Sequence, residues 1–190
     1  QQDRGILAAE SVVDLRGLGL DAIALEGEGI RIGATVTLAD LGRDEAIRER
    51  FAVLHQAASA AASPQLREMG TVGGNLGQQV RCWYFRHPDM TCWLRGGDTC
   101  YAQVGDHRKH GLEPGDCISA HPSDLAPALA ASGAMVEIRA ASGGREVPLL
   151  ELYRRPTSDN RSLLALGPGE LVVAVRLPGA PDASAYERLG

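Results

Sequence analysis

Between Gly70 and Ala120 the sequence keeps no hydrophobic period, and all four of its cysteines, Cys82, Cys92, Cys100 and Cys117, fall inside that stretch. A run this long without helical or strand alternation reads as a long functional loop, so the core must come from the segments on either side. Cysteines scattered through a core act as small hydrophobes. Four gathered in one polar loop point instead to a shared partner, a metal centre or a pair of disulfides. Their spacing, C-x9-C-x7-C-x16-C, matches neither a CxxC pair nor a common zinc-ribbon pattern. Four thiolates are the usual ligand set of a 4Fe-4S cluster, and irregular spacing suits a loop that wraps around a cube. Zinc held by the same four thiolates stays open as an alternative. Disulfides rank behind both, because a chain with a sound core does not need such staples. Arg81, Arg86 and Arg95 are candidates to offset a cluster's negative charge. Trp83, Tyr84, Phe85 and Trp93 crowd the same stretch of a chain only 4% aromatic, to shield a centre or to pack the loop down.

The flanking segments supply regular structure of the α+β class with mostly short strands. Val12–Leu15 is a strand candidate. Ile23–Leu25 and Ile30–Ala34 flank Glu26-Gly27-Glu28-Gly29 and predict a hairpin. Thr37 caps a short helix through Leu41. Ile47, Phe51, Leu54, Ala58 and Ala61 recur at helical spacing and predict one amphipathic helix ending near Ser63-Pro64. Beyond the loop, Ser123 or Asp124 opens a helix to Ala131. Met135–Ile138 forms a strand turning at Ser142-Gly143-Gly144, and Leu171–Val175 forms another, closed by Pro178. At 190 residues and 44% hydrophobic, the chain can bury one domain or one and a half. A net charge of -5 without a basic block excludes a nucleic-acid footprint. No run reaches the length of a membrane span and no signal-peptide pattern appears. The chain opens on Gln1-Gln2-Asp3-Arg4 without an initiator Met, so a missing leader says little about compartment.

Gly17-Leu18-Gly19-Leu20-Asp21-Ala22 matches a loose dinucleotide fingerprint. The apolar run and glycine turn that follow cannot make the required helix, and the match is rejected. Thr71-Val72-Gly73-Gly74-Asn75 is the better ligand motif. Adjacent glycines permit positive φ and leave no Cβ between backbone and ligand, so successive N–H groups can form an anion cradle. A tight turn or bulge is the plain alternative. His121-Pro122-Ser123-Asp124 reads first as a helix cap, His107 and His110 read as residues of a solvated loop, and Asn160-Arg161-Ser162 is a chance sequon.

Together these residues resemble the flavin-binding subunits of molybdenum hydroxylases. The likeness rests on Gln65-Leu66-Arg67-Glu68-Met69-Gly70-Thr71-Val72-Gly73-Gly74-Asn75-Leu76 and on the stretch from Cys117 through His121-Pro122-Ser123-Asp124 to Leu129. Arg81-Cys82-Trp83-Tyr84-Phe85-Arg86 and the other cysteines are similar to a narrower branch. That branch comprises the flavin subunits of periplasmic aldehyde oxidoreductase and 4-hydroxybenzoyl-CoA reductase, which carry a 4Fe-4S cluster in addition to FAD. The resemblance implies a vanillyl-alcohol-oxidase (PCMH-type) FAD fold over residues 1–178, with an iron–sulfur loop at 80–118 and a linker at 179–190. It implies that Thr71, Gly73, Gly74 and Asn75 hold the FAD pyrophosphate region and that Asp124 bonds the flavin nucleotide. Leu171 or Val172 would pack near the isoalloxazine, and Arg188 stands where the family tends to place a lysine. Cys82, Cys92, Cys100 and Cys117 would ligate the cluster. Partners would be a molybdenum-cofactor large subunit and a 2Fe-2S small subunit, in the cytoplasm or alternatively the periplasm. Electron flow in the reductase branch would run toward the molybdenum site. The family's glycine-rich flavin loop has no match before Gly17 and the sequence stops where the family's C-terminal domain should start, so the expected fold is truncated at both ends. A zinc- or disulfide-stapled binding module is the alternative from another class.

Overall fold

The computed structural model describes residues 9–111 and 115–187. It divides into two compact units that interleave along the chain. One takes 15–77, 123–153 and 165–190. The other takes 1–14, 78–122 and 154–164.

The first unit is built on a five-stranded antiparallel sheet of order β1-β2-β5-β3-β4. β1 (Ile23–Glu26) and β2 (Gly29–Gly33) form the expected hairpin. Gly27 takes φ +61 in its turn, a conformation that costs glycine little. β3 (Met135–Ala140) turns at Gly143 (φ +137) into β4 (Gly143–Pro148), whose polar, exposed face hides it from a hydrophobic reading. β5 (Leu171–Leu177) is the central strand, with Ala174 and Val175 fully buried. Val12–Leu15 is not a strand. Val12 and Val13 are 82% and 77% exposed, and no described strand pairs with them, so their β-branched side chains have no sheet to pack on.

Like charges stand directly opposite across this sheet. Arg31 faces Arg176, and Glu137 faces Glu146. Such pairs repel unless opposite charges intervene. Here Arg31 grips Glu137 through two hydrogen bonds of 2.8 and 2.9 Å, while Arg176 bonds Glu26 and lies 3.9 Å from both Glu137 and Glu146. The hydrogen bond from Arg31, and then its charge, hold the Glu137 carboxyl below its ordinary 4.5 despite partial burial. A depressed carboxylate stabilises the fold above its unfolded pKa, and the contribution disappears as pH falls through the folded value. Glu137→Gln is therefore expected to cost about 1–2 kcal/mol at neutral pH and to flatten the acid limb of stability against pH. Urea melts between pH 7 and 3 check it. Parallel curves for the two proteins would dismiss the network.

Short helices pack on one another beside the sheet. α1 (Leu38–Arg43) is capped by Thr37, whose Oγ1 accepts from the Asp40 N–H at 3.0 Å. The single helix expected from Ile47 to Ala61 is in fact two, α2 (Glu45–Arg50) and α3 (Ala52–Ala60), broken at Phe51 (φ -124, ψ 55). The break lets Ile47, Phe51 and Leu54 all reach the core at 0–1% exposure. α4 (Pro64–Met69) starts with proline in its first turn and Ser63 as cap. α5 (Val72–Leu76) and α8 (Leu125–Ala131) pack on each other, and a 3-10 turn at Leu149–Leu152 packs on α8.

The second unit holds α6 (Trp83–Arg86), a 3-10 turn at Trp93–Arg95 and α7 (Tyr101–Val104). Its small core is Val80, Phe85 and Cys92, with Cys82, Leu94, Tyr101 and Leu163 packed around it. Among the described residues, no helix is long and apolar enough to cross a membrane.

Candidate cofactor sites

The Thr71–Asn75 motif is neither a turn nor a bulge. It is the start of α5, and neither Gly73 nor Gly74 has positive φ. Thr71 is the cap, its Oγ1 accepting from the Gly74 N–H at 3.1 Å. The other early N–H groups are engaged as well. Val72 donates to Val36 O, Gly73 to Ala34 O and Asn75 to Thr71 O, at 2.8–2.9 Å. The expected cradle of unpaired N–H donors is therefore absent, because two of them bond the chain just after β2 and two bond Thr71.

The two glycines do different work. A Cβ on Gly73 would stand 3.0 Å from the Ala34 Cβ and 3.1 Å from its carbonyl oxygen, so Gly73 lets α5 approach the end of β2. A Cβ on Gly74 would meet only the Thr71 hydroxyl, and Gly74 is exposed. Gly74 is thus the place in the motif where a ligand can lie against bare backbone. Ala34 ties the motif to the sheet, donating to Val173 O at 2.9 Å while accepting from Gly73. Leu171 and Val172 lie one or two residues before that link, at the exposed and half-buried start of β5.

Asn75 is buried and joins two predicted contact segments. Its Oδ1 accepts from Ser123 Oγ at 2.6 Å and from the Leu125 N–H at 3.2 Å. Ser123 Oγ in turn accepts from the Ala126 N–H at 3.0 Å, so Ser123 caps α8. The Asp124 side chain makes no capping hydrogen bond, which keeps its carboxylate out of the role the sequence assigned first. Thr71, Gly74 and Asp124 are thereby held on one framework by a buried amide. Asn75 fastens this framework rather than offering a surface donor. Arg188 lies outside the described residues.

In the other unit, Cys82, Cys92, Cys100 and Cys117 line one apolar cavity, together with Phe85, Trp93, Leu94, Tyr101, Ala102 and other side chains. All four thiols are free, which removes the disulfide reading. Cys82 precedes α6 and accepts no capping hydrogen bond from it. Burial above all pushes the Cys82 thiol up, with the nearby Cys92 and Cys117 adding and the Phe85 and Tyr84 backbone opposing. Ser119 Oγ stands 2.9 Å from the Cys117 sulfur. Among the described residues, no three His, Cys, Asp or Glu side chains are drawn together as the ligands of a metal ion. Four free thiols lining one cavity are the donor type that a 4Fe-4S cluster uses.

Two residues of this unit escaped the sequence reading. Arg161 lies over the Trp93 ring, 4.6 Å from its centroid, and bonds the Trp93 and Gly97 carbonyls. Nothing local marks it, because its partners are distant in sequence. His110, expected in a solvated loop, instead lines the cysteine cavity with both ring nitrogens buried. Of the arginines expected to offset charge, Arg95 donates to the His87 and Met90 carbonyls and braces the loop.

Comparison with known proteins agrees with this geometry. Residues 1–180 match the family model described as the FAD binding domain in molybdopterin dehydrogenase. The chain is 41% identical to the aldehyde oxidoreductase FAD-binding subunit PaoB of Escherichia coli, over 88% of this chain and 54% of that protein. It is 28% identical to the carbon monoxide dehydrogenase medium chain of Afipia carboxidovorans, over 95% of this chain and 48% of that one. It spans about half the length of these curated relatives. Among solved structures, a carbon monoxide dehydrogenase from Hydrogenophaga pseudoflava has the same fold, with TM-score 0.63 at 23% identity, over 93% of this chain and 47% of that one. The chain therefore belongs to the family of FAD-binding domains of molybdopterin dehydrogenases.

Proposed function

We propose that this chain is the FAD- and 4Fe-4S-binding electron-transfer part of a molybdenum-cofactor oxidoreductase of the aldehyde or xanthine dehydrogenase type. It would relay electrons between a molybdenum-bearing large subunit with its 2Fe-2S small subunit and an external acceptor. The observation that carries the cluster is the meeting of four free thiols on one cavity, in a chain of this family. When bound, FAD exchanges electrons singly or in pairs, and a 4Fe-4S centre exchanges them singly. The protein's own residues supply position and environment. Thr71, Gly74 and Asp124 orient the nucleotide, Asn75 keeps them in register, and Leu171 and Val172 offer an apolar wall. The Ser119 hydroxyl stands within hydrogen-bond reach of the Cys117 sulfur, while Phe85 and Trp93 keep water away.

Anaerobic purification of the full-length subunit, with visible and EPR spectra and iron and zinc analysis, tests the proposal. Flavin absorbance with about four irons per chain is expected. Colourless protein with stoichiometric zinc would sink it. The two glycines give a finer test of the flavin side. Gly73→Ala presses on Ala34 and is expected to cost about 1–3 kcal/mol of stability. Gly74→Ala meets only the Thr71 hydroxyl, at 3.0 Å, and is expected to cost less stability than Gly73→Ala while weakening FAD retention. Equal flavin content in Gly74→Ala and wild type would remove Gly74 from the contact surface.

A further inference from the structure

The cysteine cavity contains one group that its four thiols do not explain. His110 lines the cavity, and its Nδ1 and Nε2 are both buried without a hydrogen-bond partner. A buried imidazole always has one N–H to donate, and leaving it unmatched costs about 1–3 kcal/mol. Such orphans in a folded protein call for a reason, a bound group among them.

The ring is held in place. Trp83 meets it edge-on, with centroids 5.5 Å apart at 82°, and Tyr84 flanks it at 6.5 Å. The His110 N–H donates to the His107 carbonyl at 2.9 Å. Next to it, the Gly111 N–H donates to Ile118 O at 2.7 Å, which ties this segment to the one that bears Cys117. An imidazole so braced, lining the same cavity as four thiols with its nitrogens unmatched, is suited to donate to sulfur.

We propose that His110 is a positioning residue that donates an N–H hydrogen bond to sulfur of the metal–sulfur group in this cavity. Through that bond it raises the group's reduction potential. The inference rests on the cluster reading above. Reduction adds negative charge that spreads over the sulfurs, and a donor facing them stabilises the reduced form more than the oxidised one. Removing the donor makes reduction harder.

The test compares full-length wild type, His110→Phe and His110→Gln, each purified anaerobically. Iron per chain is measured first, then the midpoint potential by EPR-monitored redox titration. Expected are wild-type iron in both variants and a negative shift in His110→Phe of the order of tenfold in the reduced-to-oxidised ratio, about 59 mV for one electron. His110→Gln keeps an N–H donor and is expected to recover part of the shift. An unchanged potential in iron-replete His110→Phe overturns the proposal. Loss of iron from both variants also overturns it, by making His110 a ligand or a folding requirement. Iron-free wild type, by contrast, overturns the cluster reading itself, so the two failures are distinguishable.

Discussion

Cys92→Ser is expected to remove the iron and its EPR signal while leaving flavin bound. Cys92 is the most deeply buried of the four cysteines, at 6% exposure, and belongs to the small core with Val80 and Phe85. A serine hydroxyl in its place does not ionise near neutral pH and is a poor ligand for iron that prefers thiolate. Its hydroxyl also enters an apolar site, at a cost of about 1–3 kcal/mol. The residues assigned to flavin, from Thr71 to Asn75 and at Asp124, belong to the other compact unit. Iron analysis, flavin absorbance and a melting curve on the same sample separate these effects. Wild-type iron in the variant would show that Cys92 is not a ligand. Loss of flavin together with iron would show that the two units do not fold independently.

Asn75→Leu is expected to be the most damaging single change in the flavin framework. The side chain is nearly isosteric but cannot accept a hydrogen bond. The Ser123 hydroxyl loses its 2.6 Å acceptor and the Leu125 N–H its 3.2 Å one, both in a buried setting. Two unmatched donors cost about 2–4 kcal/mol together, and Ser123 recovers some of it by turning elsewhere. Asn75→Asp keeps an acceptor oxygen at the start of α8, where the N–H groups favour an anion, and is expected to retain much of the stability. Urea denaturation of the three proteins, with flavin content on the same samples, reads both effects. If Leu melts like wild type, Asn75 does not fasten α5 to α8. If Leu is stable yet flavin-free, Asn75 contacts the ligand directly, as the resemblance implied.

Several elements were legible in the sequence because their determinants are local. The hairpin around Gly27, the Thr37 cap, the Ser123 cap and the strand closed by Pro178 each rest on a few neighbouring residues whose preferences agree. The single helix drawn through Phe51 was misread, since its hydrophobic period continues across a break made only by packing. Val12–Leu15 was misread for the converse reason: apolar β-branched residues make a strand only where a partner strand exists. The glycines of the ligand motif were read as a positive-φ cradle and instead lie in a helix. Their use depends on what lies across from each Cβ, Ala34 for Gly73 and open surface for Gly74.

For the aperiodic stretch from Gly70 to Ala120, the motifs marked the family, but its reading as loop alone fails: it holds α5, α6 and α7, and Val72, Leu76, Val80 and Phe85 are buried. Thiol chemistry and irregular spacing are properties of the residues themselves. Only the tertiary structure decided that the four thiols meet on one cavity, that none is in a disulfide, and that His110 joins them. It also decided that Arg161, from a segment far along the chain, clamps Trp93 over that unit. Those facts depend on contacts between residues distant in sequence, which no local preference encodes and which appear only once the chain has closed on itself.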